Sequence, residues 1–204
     1  MNKYQYIRRI LFMGDFNKEI LFAPGGKVFI GSNSEENRIL KECSMYQIVK
    51  EVLPQVYYRL PKRRKEIYEE EILKIARYYM KVQYNINSLF PKGETAAYIL
   101  QYSTRKLTEF DFYAPTYKNR NFQVGKYKLT FYRKDKNSPL FQMGERAKLV
   151  ELFRYIGPYS FKYDVRKQLK EIIKKYRFEN LKADFDVPKW MEKEFDKIKK
   201  IQEI

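Results

Sequence analysis

The side chains that most often carry enzymatic chemistry are scarce in this chain of 204 residues. It contains no histidine, so the commonest general base and metal ligand is missing, and so is any Ser-His or Cys-His nucleophile pair. Cys43 is the only cysteine, which excludes a disulfide framework and a multi-cysteine metal site. We interpret Cys43 as a small, buried apolar residue rather than a nucleophile.

The carboxylates do not replace these missing groups. Residues 69–71 are three consecutive glutamates, and Asp184 and Asp186 flank a phenylalanine, but neither set has the spacing of metal ligands. Pro24-Gly25-Gly26 leads to no Lys-Ser or Lys-Thr pair, so it is not a phosphate-binding loop. An acid–base enzyme that uses only Asp and Glu stays open as a third function class. We expect no enzyme, no metal and no cofactor.

Positive charge is the dominant chemical property of the chain. It has 42 Lys and Arg against 25 Asp and Glu, a formal charge of +17, while 44% of its residues are apolar. The apolar fraction is sufficient for a folded core. Basic side chains gain free energy by displacing counterions from phosphates, so this charge predicts a polyanionic or acidic partner. The alternative is that the charge serves only to keep the protein in solution.

The pattern of residues 1–63 predicts a small winged-helix-like domain. A short amphipathic helix should end near Gly14, and two β-prone runs around Pro24-Gly25-Gly26 favour a hairpin. Ser34 and Ser44 can each cap a helix. In the second helix, residues 44–53, apolar side chains recur at helical spacing, and a strand follows at 56–60.

Residues 64–204 predict a larger C-terminal domain, so the fold class is α+β. We expect a short antiparallel sheet and about five helices there. The predicted helices are 66–83, 94–102, 144–155, 161–176 and 188–201, and the predicted strands are 109–113, 121–124 and 127–133.

Two stretches concentrate the cations. Four consecutive basic residues follow directly after the predicted winged helix, where they could neutralise DNA phosphates or form a solvated linker. Residues 105–136 carry nine cations against three acidic residues, with aromatic residues interleaved. A sheet formed by these residues can bind a nucleic-acid backbone through its cations and stack on bases through its aromatic rings. The alternative is that the aromatics face the core and the cations face water.

Three short motifs resemble one known family. They are Gly26-Lys27-Val28-Phe29-Ile30, Val56-Tyr57-Tyr58-Arg59-Leu60-Pro61 and Lys92-Gly93-Glu94-Thr95-Ala96-Ala97-Tyr98-Ile99-Leu100. In this order they resemble the AbiEi-type antitoxins of type IV toxin–antitoxin systems, over roughly residues 25–175. The resemblance implies a transcriptional autorepressor whose winged helix binds promoter DNA and whose C-terminal domain acts against a cognate toxin. By position, residues 44–53 would be the recognition helix.

The candidate nucleic-acid contacts combine the basic stretches with this resemblance. They are Gln47, Lys50, Arg59, Lys62, Arg63, Arg64, Lys65, Lys118, Arg120, Lys126, Lys128 and Lys134. DNA is the first expected partner, with RNA as an alternative. The second function hypothesis is an inhibitor, encoded by a phage or mobile element, that binds a host nuclease or an RNA-guided defence complex, as anti-CRISPR proteins do, or its RNA. Neither a signal peptide nor a membrane span is evident, so we expect a cytoplasmic protein.

Overall fold

The computed structural model describes residues 1–11, 14–61, 66–179, 181 and 187–201. The chain divides into two compact units. The N-terminal unit comprises Met1–Leu89 with Phe122–Tyr127, and the C-terminal unit comprises Phe90–Asn121 with Lys128–Ile204. The described residues form eight α-helices and two three-stranded sheets, which confirms the predicted α+β class. The predicted domain boundary between residues 63 and 64 lies in a segment outside the described residues and stays a prediction.

The N-terminal unit contains four helices around a small sheet. Its elements are α1 (Lys3–Leu11), α2 (Asp15–Phe22), β1 (Val28–Ile30), α3 (Ser34–Met45), β2 (Lys50–Leu53), β3 (Val56–Tyr58) and α4 (Glu69–Tyr84). The strand order is β1-β3-β2, and both pairs are antiparallel. The buried core of this unit includes Tyr6, Ile20, Phe29, Leu40 and Tyr57.

Local capping signals explain where two of these helices begin. At α1, Asn2 and Gln5 exchange hydrogen bonds between side chain and backbone, each 3.0 Å long. At α3, the side chain of Asn33 accepts from the backbone N–H of Glu36 at 2.9 Å. Both arrangements satisfy N–H groups that a helix leaves unpaired at its first turn. The cap of α3 is therefore Asn33, one residue before the predicted Ser34.

The predicted hairpin around Pro24-Gly25-Gly26 is wrong in its first half. Residues 20–22 lie in α2, where Ile20 is fully buried, and only the second run forms a strand, β1. The partner of β1 is β3, with Val28 opposite Tyr58. The Gly-Gly pair thus turns the chain from a helix into a strand. A short apolar run such as 20–23 fits a buried helix as well as a strand, and packing decided between them.

The predicted recognition helix over residues 44–53 is also wrong. Ser44 lies within α3, which ends at Met45, and Gln47 then takes a left-handed conformation with φ 55°. The chain then enters β2 and pairs with β3 across the turn at Pro54 and Gln55. The apolar residues from 48 onward include β-branched Ile48, Val49 and Val52, which favour a strand once a partner strand is present.

The C-terminal unit contains four α-helices and most of the second sheet. Its elements are α5 (Glu94–Ile99), β4 (Glu109–Ala114), β5 (Arg120–Val124), β6 (Tyr127–Arg133), a 3-10 helix (Pro139–Gln142), α6 (Arg146–Ile156), α7 (Tyr163–Lys175) and α8 (Lys189–Lys199). The tip of the β5–β6 hairpin, 122–127, is counted with the N-terminal unit. With α4, these helices confirm the five predicted beyond residue 63 in the described part of the chain.

The second sheet is mixed, which corrects the predicted antiparallel arrangement. Its order is β4-β6-β5, and β4 runs parallel to β6 from the pair Glu109–Lys128 to the pair Ala114–Arg133. Twelve residues, 115–126, separate these two strands, enough for a crossover that contains β5. Next to β4, a bridge between Pro91 and Phe112 adds a short antiparallel contact.

Candidate nucleic-acid interface

The connection between β4 and β5 is a loop held by hydrogen bonds at several points. The buried Thr116 donates from its hydroxyl to the carbonyl of Lys118 at 3.1 Å, and its N–H donates to Ala114 at 2.8 Å. The side-chain oxygen of Asn119 accepts from the backbone N–H of Arg133 at 2.8 Å. The loop is therefore bonded both internally and to the end of β6.

This loop carries an exposed aromatic residue next to exposed cations in the sequence. Tyr117 is 95% exposed, and Lys118, Arg120 and Arg133 are exposed as well. None of these three cations forms an ion pair with a residue in the described part of the chain. We call Tyr117, Lys118, Arg120 and Arg133 the basic loop. It combines charges that are available to phosphates with a ring that is available for stacking.

Two of the predicted contacts are engaged in surface ion pairs. Lys128 lies 3.1 Å from Glu109, and Lys126, in the turn after β5, lies 3.4 Å from Glu66. The hydrogen bond to Glu66 raises the pKa of Lys126. Exposed pairs of this kind contribute little to stability, so either lysine can exchange its carboxylate for a phosphate at small cost.

Two tyrosines on the sheet are already covered by lysines of the same unit. The ammonium group of Lys92 lies 3.6 Å from the ring centroid of Tyr132, and that of Lys134 lies 5.4 Å from that of Tyr113. Both are cation–π geometries. Lys134, one of the predicted contacts, is only half exposed. These two rings are therefore less available for base stacking than Tyr117.

The other aromatic residues of the sheet behave as the core alternative predicts. Phe110, Phe112, Phe131 and Tyr127 are buried. Asp111 lies on the opposite side of β4 from Phe110 and Phe112, and burial raises the pKa of its carboxyl although Lys92 opposes the change. The alternation of the strands thus sends the phenylalanines inward.

The predicted contacts within the first 60 residues differ in their environment. Gln47 and Lys50 are exposed, one in the turn after α3 and the other at the start of β2. Arg59 is half-buried, and its guanidinium donates to the carbonyl of Ile20. Burial lowers the pKa of Arg59. This bond ties the chain after β3 to α2, so Arg59 has a structural role whatever else it contacts.

Lys62, Arg63, Arg64 and Lys65 lie outside the described residues, so the predicted basic linker stays a prediction. Tyr117 and Arg133 belong to the basic loop but are missing from the residues predicted as contacts. The signal for Tyr117 is its position after Pro115 and Thr116, because an aromatic residue in a polar turn has no core to enter. Nothing in the sequence indicates that Asn119 bonds to Arg133.

No protein-family model, curated protein or solved structure matches this chain. Among the described residues, no helix is both long enough and apolar enough to span a membrane. In the same part of the chain, no three Asp, Glu or Cys side chains come together as a candidate metal site.

Proposed function

We propose that this chain is a non-catalytic nucleic-acid-binding protein that contacts its target through the basic loop. The observation that carries the proposal is the exposed Tyr117, followed directly by Lys118 and then by Arg120, on a loop bonded to β6 through Asn119. A loop held in this way loses little conformational entropy when it binds.

The target that this geometry favours is a single-stranded region. The cations supply contacts to the backbone, and the ring of Tyr117 can stack only on a base that is not already stacked in a duplex. Base stacking on an aromatic side chain is worth about 1–3 kcal/mol, and neutralised phosphates add a salt-dependent contribution. Neither interaction reads sequence, so we expect broad rather than sequence-specific binding.

Charge-matched variants test this proposal. One variant replaces Lys118, Arg120 and Arg133 by Ala, and its control replaces Lys167, Lys189 and Lys193, three exposed cations of α7 and α8. The probes are labelled single strands of about 16 nucleotides, DNA and RNA, and a duplex of the same length. We expect the first variant to bind single strands at least about tenfold more weakly and the control to bind nearly as the wild type does. Equal losses in both variants, or none in either, would refute the basic loop as the contact surface.

A second candidate is duplex DNA binding by the N-terminal unit, as the resemblance to AbiEi-type antitoxins implies. It is supported by the strand order β1-β3-β2, in which the β2–β3 hairpin stands where a winged helix carries its wing. Since residues 44–53 are not helical, α3 would have to enter the major groove. Replacing Lys41 and Lys50, exposed on α3 and β2, by Ala should then weaken duplex binding and spare single strands.

A further inference from the structure

An apolar groove crosses the surface of the N-terminal unit. It consists of two adjoining clefts of about 350 Å³ and 300 Å³, which share Gln47, Ile48 and Leu60 in their walls. The first cleft lies against α1 and α2, where Ile7, Leu21 and Phe22 line it, and the second lies against the start of β2. We call these two clefts the N-terminal groove.

The groove exposes large apolar side chains. Phe22 is 74% exposed and Leu60 is 38% exposed. Such side chains gain free energy when another chain removes them from water. A groove with several of them in neighbouring walls is a typical docking surface for another chain.

The charged residues that line the groove all have one sign. Among the described residues, its lining contains Lys3, Lys50 and Arg59 but no Asp or Glu. Lys3 and Lys50 are exposed, and neither forms an ion pair with a described residue. A cationic rim around an apolar floor complements a segment with acidic and apolar side chains.

We propose that the N-terminal groove docks an acidic amphipathic helix of a partner protein. Two adjoining clefts with a common wall suit two apolar anchors on one face of a helix, three or four residues apart in sequence. Lys3 and Lys50 then pair with acidic residues that flank the anchors.

The lining favours a protein segment over nucleic acid. Five aliphatic side chains line the groove against two aromatic ones, whereas nucleic-acid grooves rely on aromatic platforms and continuous cationic tracks. The aliphatic residues are Ile7, Leu21, Ile48, Val49 and Leu60, and the aromatic ones are Phe22 and Tyr58. Aliphatic clefts of this size accept branched or aromatic side chains, which a phosphate backbone does not carry. The inference is independent of the basic loop, because no residue of that loop lines the groove.

Peptide selection on the full-length protein tests this inference. A phage-displayed library of random peptides, about 15 residues long so that a helix can form, is selected on the wild type and counter-selected on Leu60→Asp. We expect the enriched peptides to carry net negative charge and large apolar residues at helical spacing. Enriched peptides with neither property, or no enrichment over a bare support, would overturn the proposal.

Affinities of one enriched peptide then locate the contact. Leu60→Asp and Phe22→Asp should each weaken binding at least about tenfold, and Lys50→Glu by about three- to tenfold. The matched controls are Met45→Asp, an apolar residue 79% exposed but outside the groove lining, and Lys41→Glu on α3; both should bind as the wild type does.

Three outcomes decide against the groove or against its proposed occupant. Equal binding by Leu60→Asp and Phe22→Asp, with unchanged thermal unfolding, excludes the groove as the site. Displacement of the peptide by a single-stranded oligonucleotide from the wild type and from the basic-loop variant alike indicates that the groove binds nucleic acid. If the basic-loop variant loses peptide binding, the peptide occupies the basic loop instead.

Discussion

The side-chain oxygen of Asn119 accepts a hydrogen bond from the backbone N–H of Arg133 at 2.8 Å. This bond joins the β4–β5 loop to the last residue of β6. Asn119 itself lies between Lys118 and Arg120 in the sequence. The bond involves no charged group. Its removal can therefore change the position of the cations without changing their number, and the two effects can be measured separately.

The first prediction concerns this positioning role. Asn119→Ala should weaken single-strand binding by about three- to tenfold, because one hydrogen bond worth about 1 kcal/mol no longer holds the loop. The slope of log affinity against log salt should stay the same, since no cation is removed. Fluorescence anisotropy at several salt concentrations measures both quantities. Asn137→Ala, in another exposed turn, is the control, and an affinity that matches the wild type in Asn119→Ala would argue against a positioned loop.

Removal of cations should act on the salt slope instead. In a Lys118→Ala, Arg120→Ala double variant, we expect the negative slope for single strands to decrease in magnitude by about 1.4, the contribution of two phosphate contacts. The control pair, Lys167→Ala and Lys189→Ala, should leave the slope unchanged. A slope that does not respond to either pair would mean that these cations do not contact phosphates.

A third prediction concerns the stability of the N-terminal unit. The hydroxyl of the fully buried Tyr57 donates to the side-chain oxygen of Asn37 at 2.8 Å, which links β3 to α3. Burial, with a smaller contribution from Glu51, raises the pKa of Tyr57 to about 12. Tyr57→Phe should lower the free energy of unfolding by about 1 kcal/mol, since Asn37 loses this donor. Urea unfolding measures the change, and Tyr4→Phe, at an 81% exposed position, should cause none.

The fourth prediction concerns pH and the pair of helices α7 and α8. Glu194 accepts hydrogen bonds from Arg166 at 2.9 Å and from Lys197 at 2.6 Å. Burial by itself raises the pKa of Glu194, but the bonds from Lys197 and Arg166 outweigh it and hold the pKa below its ordinary value. A carboxyl whose pKa is lowered by folding stabilises the fold above its unfolded pKa, about 4.3, and this contribution is lost as the pH falls through the folded value.

Glu194→Gln should therefore lower the free energy of unfolding at neutral pH, by about 1 kcal/mol because Lys197 is largely exposed. The difference between wild type and variant should shrink as the pH falls below about 4.3. Urea unfolding across this pH range measures it, with Glu171→Gln at an exposed position of α7 as the control. A difference that is constant with pH would show that the charge of Glu194 is not involved.

The elements that the sequence predicts well have a single strong periodicity. In α7, Leu169, Ile172 and Ile173 fall on one face and are buried there, as their spacing indicates. The strands β5 and β6 were predicted because Gly125 and Lys126 form a two-residue turn between β-prone runs. The helix prediction for residues 44–53 is wrong because their apolar residues fit a helix as well as a strand. Pairing with β3 decides between the two.

The candidate sites depend on contacts between residues that are distant in sequence. The cation–π contact between Lys92 and Tyr132 depends on the pairing of β4 with β6, because Lys92 bonds to Asp111 of β4. The bond between Asn119 and Arg133 joins the two ends of the β5–β6 hairpin. The sequence shows the positive charge of residues 105–136, but it does not show which of these cations form ion pairs. The sequence likewise does not predict the N-terminal groove, because its pattern favours a strand at Phe22, which the structure places at the end of α2.

The parallel pairing of β4 and β6 also constrains how the protein can be made. On the ribosome, β4 emerges before its neighbour in the sheet, since Glu109 pairs with Lys128 and Ala114 pairs with Arg133. At about 5–20 residues per second, β4 waits on the order of seconds for that partner, whereas the β5–β6 hairpin can close within about 10 μs of its release. During this interval Phe110 and Phe112, which are fully buried in the finished protein, have no partner strand along that edge. A nascent chain that stops before β6 is therefore a form of this protein that is exposed to aggregation and to capture by chaperones.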